Sequence, residues 1–299
     1  DMVHSHVSLQ VPLNSMRELV EKKGGIDEIM KLEECNDPTC RMINNILYDL
    51  VPMAYIINNF SLCTMLSIFS VQGTLEHGLM PSSAEGIALF GFVASSFFEH
   101  KKEGGKMCLL GERLVAAGRV PTNHICRSLI CAGLGGQWAT SLKTVASWFE
   151  RAIRPGIICG DLSNCAFTCG YFVEYALISG YPLHTICSFT KEYIPLVREY
   201  GNIDSEYGLQ IMGSWAKWIS KDIATPPKLT PEMAARPLLI TTAHYVFGSI
   251  SAFLVGDIRM SLDLLQEVEK DMQNNCGLGR YYEFHFISVL VYSIAVRLD

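Results

Sequence analysis

Charge is scarce in this sequence. Of its 299 residues only 18% are Asp, Glu, Lys or Arg, and the balance is acidic, with a formal net charge of -6 and a pI near 5.8. Lysines occur as isolated pairs, Lys22-Lys23 and Lys101-Lys102, so the clustered basic face that a nucleic-acid footprint requires is missing. Strict alternation of apolar and polar residues, the period of a half-buried strand, is equally hard to find. No phosphate-cradling loop is present. The nearest stretch, Gly133-Leu134-Gly135-Gly136-Gln137-Trp138, lacks the lysine that would neutralise phosphates and reads as a tight helix-to-helix turn, as does Gly277-Leu278-Gly279. The chain opens Asp1-Met2-Val3-His4 without a basic, apolar and small-residue leader, and reads as a segment of a longer polypeptide.

Apolar residues, by contrast, make up 49%, enough for a large core and too many for a disordered chain. Eleven cysteines, odd in number, are scattered through apolar runs, among them Cys63, Cys108, Cys126, Cys131 and Cys187. That pattern suggests reduced, buried thiols of a cytoplasmic protein, not a disulfide framework. Two stretches without formal charge, Leu50–Leu75 and Pro237–Gly256, are long enough to span a bilayer. The first, however, holds Pro52, Asn58, Asn59 and Gln72, the second holds Thr241, Thr242 and His244, and neither has flanking Lys/Arg asymmetry. Buried helices are therefore expected, and no membrane span.

Nearly every informative segment has helical period. Leu142, Val145, Ala146, Phe149 and Ile153 form one stripe, Leu162, Cys165, Ala166, Cys169, Val173 and Ala176 a second, and Leu264, Leu265, Val268 and Met272 a third. Start signals agree: Asp37-Pro38, a capping box at Ser82-Ser83-Ala84-Glu85, and Thr230-Pro231. Expected helices fall near 27–34, 38–51, 58–78, 83–100, 103–117, 122–134, 141–154, 162–179, 183–200, 204–220, 232–254, 258–273 and 280–297. The fold class is all-α, a stack of antiparallel helix hairpins resembling a tetratricopeptide-like solenoid. It divides into an extension over 1–25, an array over 26–220, a proline-rich linker over 221–231, and one or more further hairpins over 232–299.

The dipeptide Gly160-Asp161 recurs as Gly256-Asp257 between two helical stripes. Glycine ends a helix in the left-handed region without a Cβ penalty, and aspartate accepts from the free N–H groups of the next helix. Both pairs are expected to be hairpin corners, with Cys165 and Ser261, five residues past each glycine, where helices approach closely. Lys102-Glu103-Gly104-Gly105 reads as a degenerate third corner.

Reactive chemistry is sparse. Cys35-x4-Cys40 has no second pair to complete a zinc site, and Cys165 and Cys169 share an apolar face. His184 and Cys187 lie one turn apart, and His124 is near Cys126, but a thiolate needs a polarising environment that neither stretch supplies. The carboxylates, among them Glu33-Glu34, Glu267 and Glu269, sit on solvated faces, and Trp138, Trp148, Trp215 and Trp218 read as wedges between helices. No catalytic, metal or cofactor residue is assigned.

Residues 26–220 resemble the tetratricopeptide-like segment of large signalling ATPases, which lies beside a P-loop ATPase module and often ahead of GAF and histidine-kinase domains. The likeness is carried by a short leading helix from Ile26 to Leu32, Asp37-Pro38, the run from Asn45 to Tyr55, His77-Gly78, the run from Ser82 to Gly91, Trp148 ahead of Gly160-Asp161, and Gly180-Tyr181-Pro182-Leu183. It implies a non-catalytic regulatory array that contacts a protein partner or neighbouring domains of the same polypeptide. An all-α sensor with an apolar cavity for a small molecule is the alternative, and an enzyme using a Cys-His pair comes third.

Overall fold

A computed structural model describes residues 14–57, 59–98, 100–235, 238–269 and 279–298. Gly277-Leu278, and residues 1–13 of the expected N-terminal extension, lie outside the described residues. Within them the fold is all-α, and the β structure is limited to a single bridge between Glu34 and Leu79. The helices are α1 (14–22), α2 (Ile26–Ile29), α3 (Pro38–Ile56), α4 (Phe60–His77), α5 (Ser83–Phe97), α6 (Lys101–Ala116), α7 (Thr122–Gly136), α8 (Leu142–Cys159), α9 (Leu162–Ile178), α10 (Leu183–Glu199), α11 (Ile203–Ile219), α12 (Pro231–Ala234), α13 (Leu238–Leu254), α14 (Ile258–Val268) and α15 (Gly279–Leu298). No helix among the described residues is long and apolar enough to cross a membrane.

The chain forms two compact units, Asp1–Asp161 and Leu162–Asp299. In the first, α3 pairs with α4, α5 with α6 and α7 with α8, and the pairs are joined through α4–α5, α6–α7 and α5–α7 packing. In the second, α9, α10 and α11 pack on one another, α11 packs on α13, and α13, α14 and α15 form a further cluster around Val246, Leu265, Phe284 and Val291. The proline-rich stretch 221–231 lies inside the second unit, running from just after α11 to the first residue of α12.

Helix ends are made the same way in both units. Gly160 closes α8 with φ 72°, its N–H bonding Ile157 O at 3.2 Å while Asp161 N–H reaches Gly156 O at 2.9 Å. Gly256 has φ 86°, with the matching bonds to Phe253 O at 3.0 Å and from Asp257 to Ala252 O at 2.9 Å. These are the paired bonds of a Schellman motif, which satisfy the last carbonyls of a helix when the residue after it turns left-handed. Asp257 then accepts from Met260 N–H at 3.0 Å and caps α14.

Other glycines act by closeness, not by turning. Gly104 and Gly105 lie inside α6, not at a corner, correcting the expected third hinge. A Cβ on Gly104 would fall 2.4 Å from Gly91 O, so this position lets α6 touch α5 backbone to backbone, and one on Gly105 would fall 2.8 Å from Trp138 Cβ, so that position admits the turn after α7. Gly133, Gly135 and Gly136 are likewise helical, in α7, and the expected turn begins only at Gln137-Trp138. A Cβ on Gly133 would meet the Phe149 ring and one on Gly136 the Trp148 ring, so α8 seats its largest side chains in that gap. The expected helix 232–254 is divided into α12 and α13.

Candidate functional site

Helix α3 begins at Asp37, whose carboxylate accepts from Thr39 N–H at 2.7 Å and Cys40 N–H at 3.4 Å. At 3.6 residues per turn, Asn44, Leu47, Tyr48, Val51 and Ala54 fall on one side of it, and this side faces the body of the first unit. It is unusually polar for an inward face. Ser70 donates to Asn44 Oδ1 at 3.0 Å, Asn44 Nδ2 donates to Ser82 Oγ at 2.9 Å, and Ser82 donates to Asn45 Oδ1 at 3.3 Å. A chain of hydrogen bonds with one direction thus links α4, α3 and the start of α5. Beside it, Thr74 donates to Ser70 O at 3.1 Å, leaving the Ser83 hydroxyl to donate to Thr74 at 2.7 Å while accepting from Met80 N–H at 2.8 Å. Gly86 admits the seam, since a Cβ there would overlap Ser70 Oγ.

The expected capping box is corrected by the same contacts. Ser82 makes no side-chain cap bond to α5, because its hydroxyl is committed to Asn44 and Asn45. Glu85, the other half of the motif, is 3% exposed and turns to Arg127 of α7, with Oε1 at 3.4 Å from Nε.

Arg127 fixes the second half of α3. Its Nη2 donates to Tyr48 O at 2.8 Å, its Nη1 to Asp49 Oδ1 at 3.3 Å, and its guanidinium carbon lies 3.4 Å from the centre of the Tyr48 ring. The ring also meets His124 edge-on at 5.0 Å. Burial pushes the Glu85 carboxyl up to about 8, against the pull of Arg127, with Asp161 and Asp49 adding to the rise. Burial, then Arg127, pushes His124 down. Burial, then Glu85, pushes the Cys131 thiol up. Glu85 Oε2, His124 Nδ1 and Ser128 Oγ, all buried, have no hydrogen-bond partner among the described residues. Burial thus favours the neutral forms of Glu85, His124 and Cys131, and the contacts of Arg127 position α3.

With Asn44 and Tyr48 held inward, α3 presents apolar side chains to solvent. Met42, Ile43, Ile46, Leu50, Met53 and Ile57 fall within one arc of about 100°, and Met53 and Ile57 are 63% and 67% exposed. Helix α4, packed on α3, adds exposed Leu62 and Phe69, seven residues apart and so on one side. Asp37, Asp49 and Glu76 are the exposed acids of this hairpin. Single exposed apolar residues are ordinary, but a continuous stripe of them is the mark of a contact surface.

The residues singled out in the sequence do not converge on one place. Gly160 and Asp161 end the first unit, where Asp161 adds negative potential to Glu85, Tyr48 and His124. Gly256 and Asp257 join α13 to α14 in the second. Cys165 and Ser261 are both fully buried, and Ser261 exchanges hydroxyl-to-carbonyl bonds with Ser249 across α13 and α14 at 2.9 and 3.0 Å. His184 is exposed, and burial pushes the Cys187 thiol up, which disfavours a thiolate. Every described cysteine is a free thiol. Trp148 and Trp215 are buried wedges.

Two hollows open on the second unit. One of about 60 Å³, lined by Phe167, Tyr171, Met212 and Ile240, is apolar and too small for an organic ligand. The other, of about 300 Å³, is bordered by Thr190, Gln210, Lys217, Lys228, Thr230 and His244. Neither the Arg127 cluster nor the outward stripe of α3 was identified from the sequence. A lone arginine in an otherwise sparsely charged α7 was the available signal for the first. Set against models of known protein families and against curated proteins, the chain matches none of them.

Proposed function

We propose that this chain is a non-catalytic helical scaffold whose α3–α4 hairpin binds an amphipathic helix of a protein partner or neighbouring domain. The observation that carries this reading is the outward stripe Met42, Ile43, Ile46, Leu50, Met53 and Ile57, held outward by a buried polar seam. An apolar helical face laid into or along a second amphipathic helix is a standard mode of recognition, read at i, i+4, i+8 and i+11 spacing. Methionines at two of the positions let such a surface adapt to its partner. Exposed Asp37, Asp49 and Glu76, in a chain of net charge -6, favour an occupant with basic flanks. The setting, beside the ATPase and output domains of a multidomain signalling protein, rests on the likeness of residues 26–220 alone.

The test is capture of proteins on the tagged chain, comparing wild type with Ile46→Glu/Leu50→Glu/Met53→Glu and with Glu267→Lys, a change on the exposed side of α14. Proteins held by wild type and by the control but lost from the triple variant support the reading. A retained set unaffected by the triple variant removes it.

A further inference from the structure

The geometry points to a binding site for a small organic phosphate in the second unit, at the hollow of about 300 Å³ between α10, α11, α13 and the proline-rich stretch. This inference stands apart from the scaffold reading, which concerns α3 and α4. Its volume is at the lower end for a pocket that encloses a small molecule.

The stretch 221–231 is what completes the hollow. Lys221 adopts a left-handed φ of 63° just after α11, and its N–H and that of Asp222 close the helix on Trp218 O and Lys217 O at 3.0 and 2.9 Å. The chain then runs through Pro226 and Pro227, whose fixed φ stiffens it, to Thr230, which caps α12 by accepting from Met233 N–H at 3.3 Å. Lys228 on this stretch and Lys217 on α11 thereby border one cavity. Neither ammonium forms an ion pair among the described residues, although acids lie nearby. Glu206 is held by Arg198 at 2.7 Å and by Gln210 at 2.7 Å, and Asp222 accepts from Ser220 at 2.9 Å.

Donors surround the same space. The Thr230 hydroxyl is committed at the start of α12, accepting from Met233 N–H and donating to the Glu232 carboxylate, while Ser214 brings a hydroxyl to the hollow. His244 accepts at Nδ1 from Trp215 Nε1–H at 3.3 Å; since an indole can only donate, the ring proton sits on Nε2. Burial holds His244 neutral, pushed down to about 4, so this proton remains in place at pH 7. Two cations and two neutral donors, the Ser214 hydroxyl and His244 Nε2–H, suit a phosphate, for which lysine serves as a point charge. Ile194, Ile211, Pro227 and Met233 supply an apolar wall for a compact organic body.

The probe is 1-naphthyl phosphate, titrated calorimetrically into the full chain, with 1-naphthol and inorganic phosphate as separate arms. Saturable binding of the ester is expected, at least tenfold tighter than either fragment and weakened at least tenfold in Lys217→Met/Lys228→Met. Both lysines are exposed, so the double variant is expected to unfold as wild type does. Met53→Glu is expected to leave the binding unchanged. Any of four results overturns the inference: no saturable binding, equal binding of 1-naphthol, full binding by the double lysine variant, or loss of binding in Met53→Glu.

Discussion

Arg127 and Tyr48 meet twice: the guanidinium lies 3.4 Å from the centre of the ring, and Nη2 donates 2.8 Å to the same residue's carbonyl. One side chain of α7 thereby fixes both the position and the rotation of α3. Rotation is what matters, because turning α3 by half a turn would bury the apolar stripe and expose Asn44.

Arg127→Lys is expected to destabilise the first unit by about 2–4 kcal/mol, since an ammonium cannot serve the Tyr48 carbonyl, Asp49 and buried Glu85 together. Denaturant unfolding measures the loss. Amide exchange should quicken first in α3. Equal protection of α3 in the variant and wild type would show that the seam, not Arg127, holds the helix.

Glu85 gives the first unit a pH dependence of defined sign. Its carboxyl is pushed up to about 8 from an ordinary value of 4.5. With the folded pKa above the unfolded one, the stabilisation is present below pH 4.5, declines from there, and is lost as pH rises through about 8. Glu85→Gln removes the titration, so the variant should gain about 2–4 kcal/mol relative to wild type between pH 5 and pH 9. A constant difference over that range would mean that Arg127 keeps the carboxylate charged.

The two glycine–aspartate corners differ from the buried glycines in what a substitution meets. A Cβ on Gly160 or Gly256 finds open space within 4 Å, so valine at either position should cost only the left-handed penalty of about 1–2 kcal/mol. Asp257→Ala should cost about 1 kcal/mol through the lost cap of α14. Gly104→Val should cost more than either corner change, because the added atoms would strike Gly91 O. Thermal melts of the four variants would rank them, and a corner variant indistinguishable from wild type would contradict the hinge assignment.

Helices and their ends were legible in the sequence because both are local. Period fixes a helix, and Gly160 or Gly256 followed by Asp fixes a stop and a start within two residues. What needed the fold was every judgement about which neighbour a residue meets. Gly104 and Gly105 resemble a turn until α5 and Trp138 are placed against them. Ser82 and Glu85 have capping-box spacing, and only the approach of Asn44 and Arg127 diverts them. The α3 stripe was hidden for the same reason: the sequence shows two apolar and polar arcs but not which one is covered. Lys217 and Lys228 border one hollow only because 221–231 folds back beside α11.

The most direct test of the account puts the photo-cross-linker p-benzoyl-phenylalanine at Met53, and separately at Glu267, in cells that express the full polypeptide. A discrete cross-link from Met53 to an amphipathic helix, in another protein or in a neighbouring domain, and none from Glu267, is the result the account predicts. No cross-link at Met53, or the same products from both positions, would contradict it.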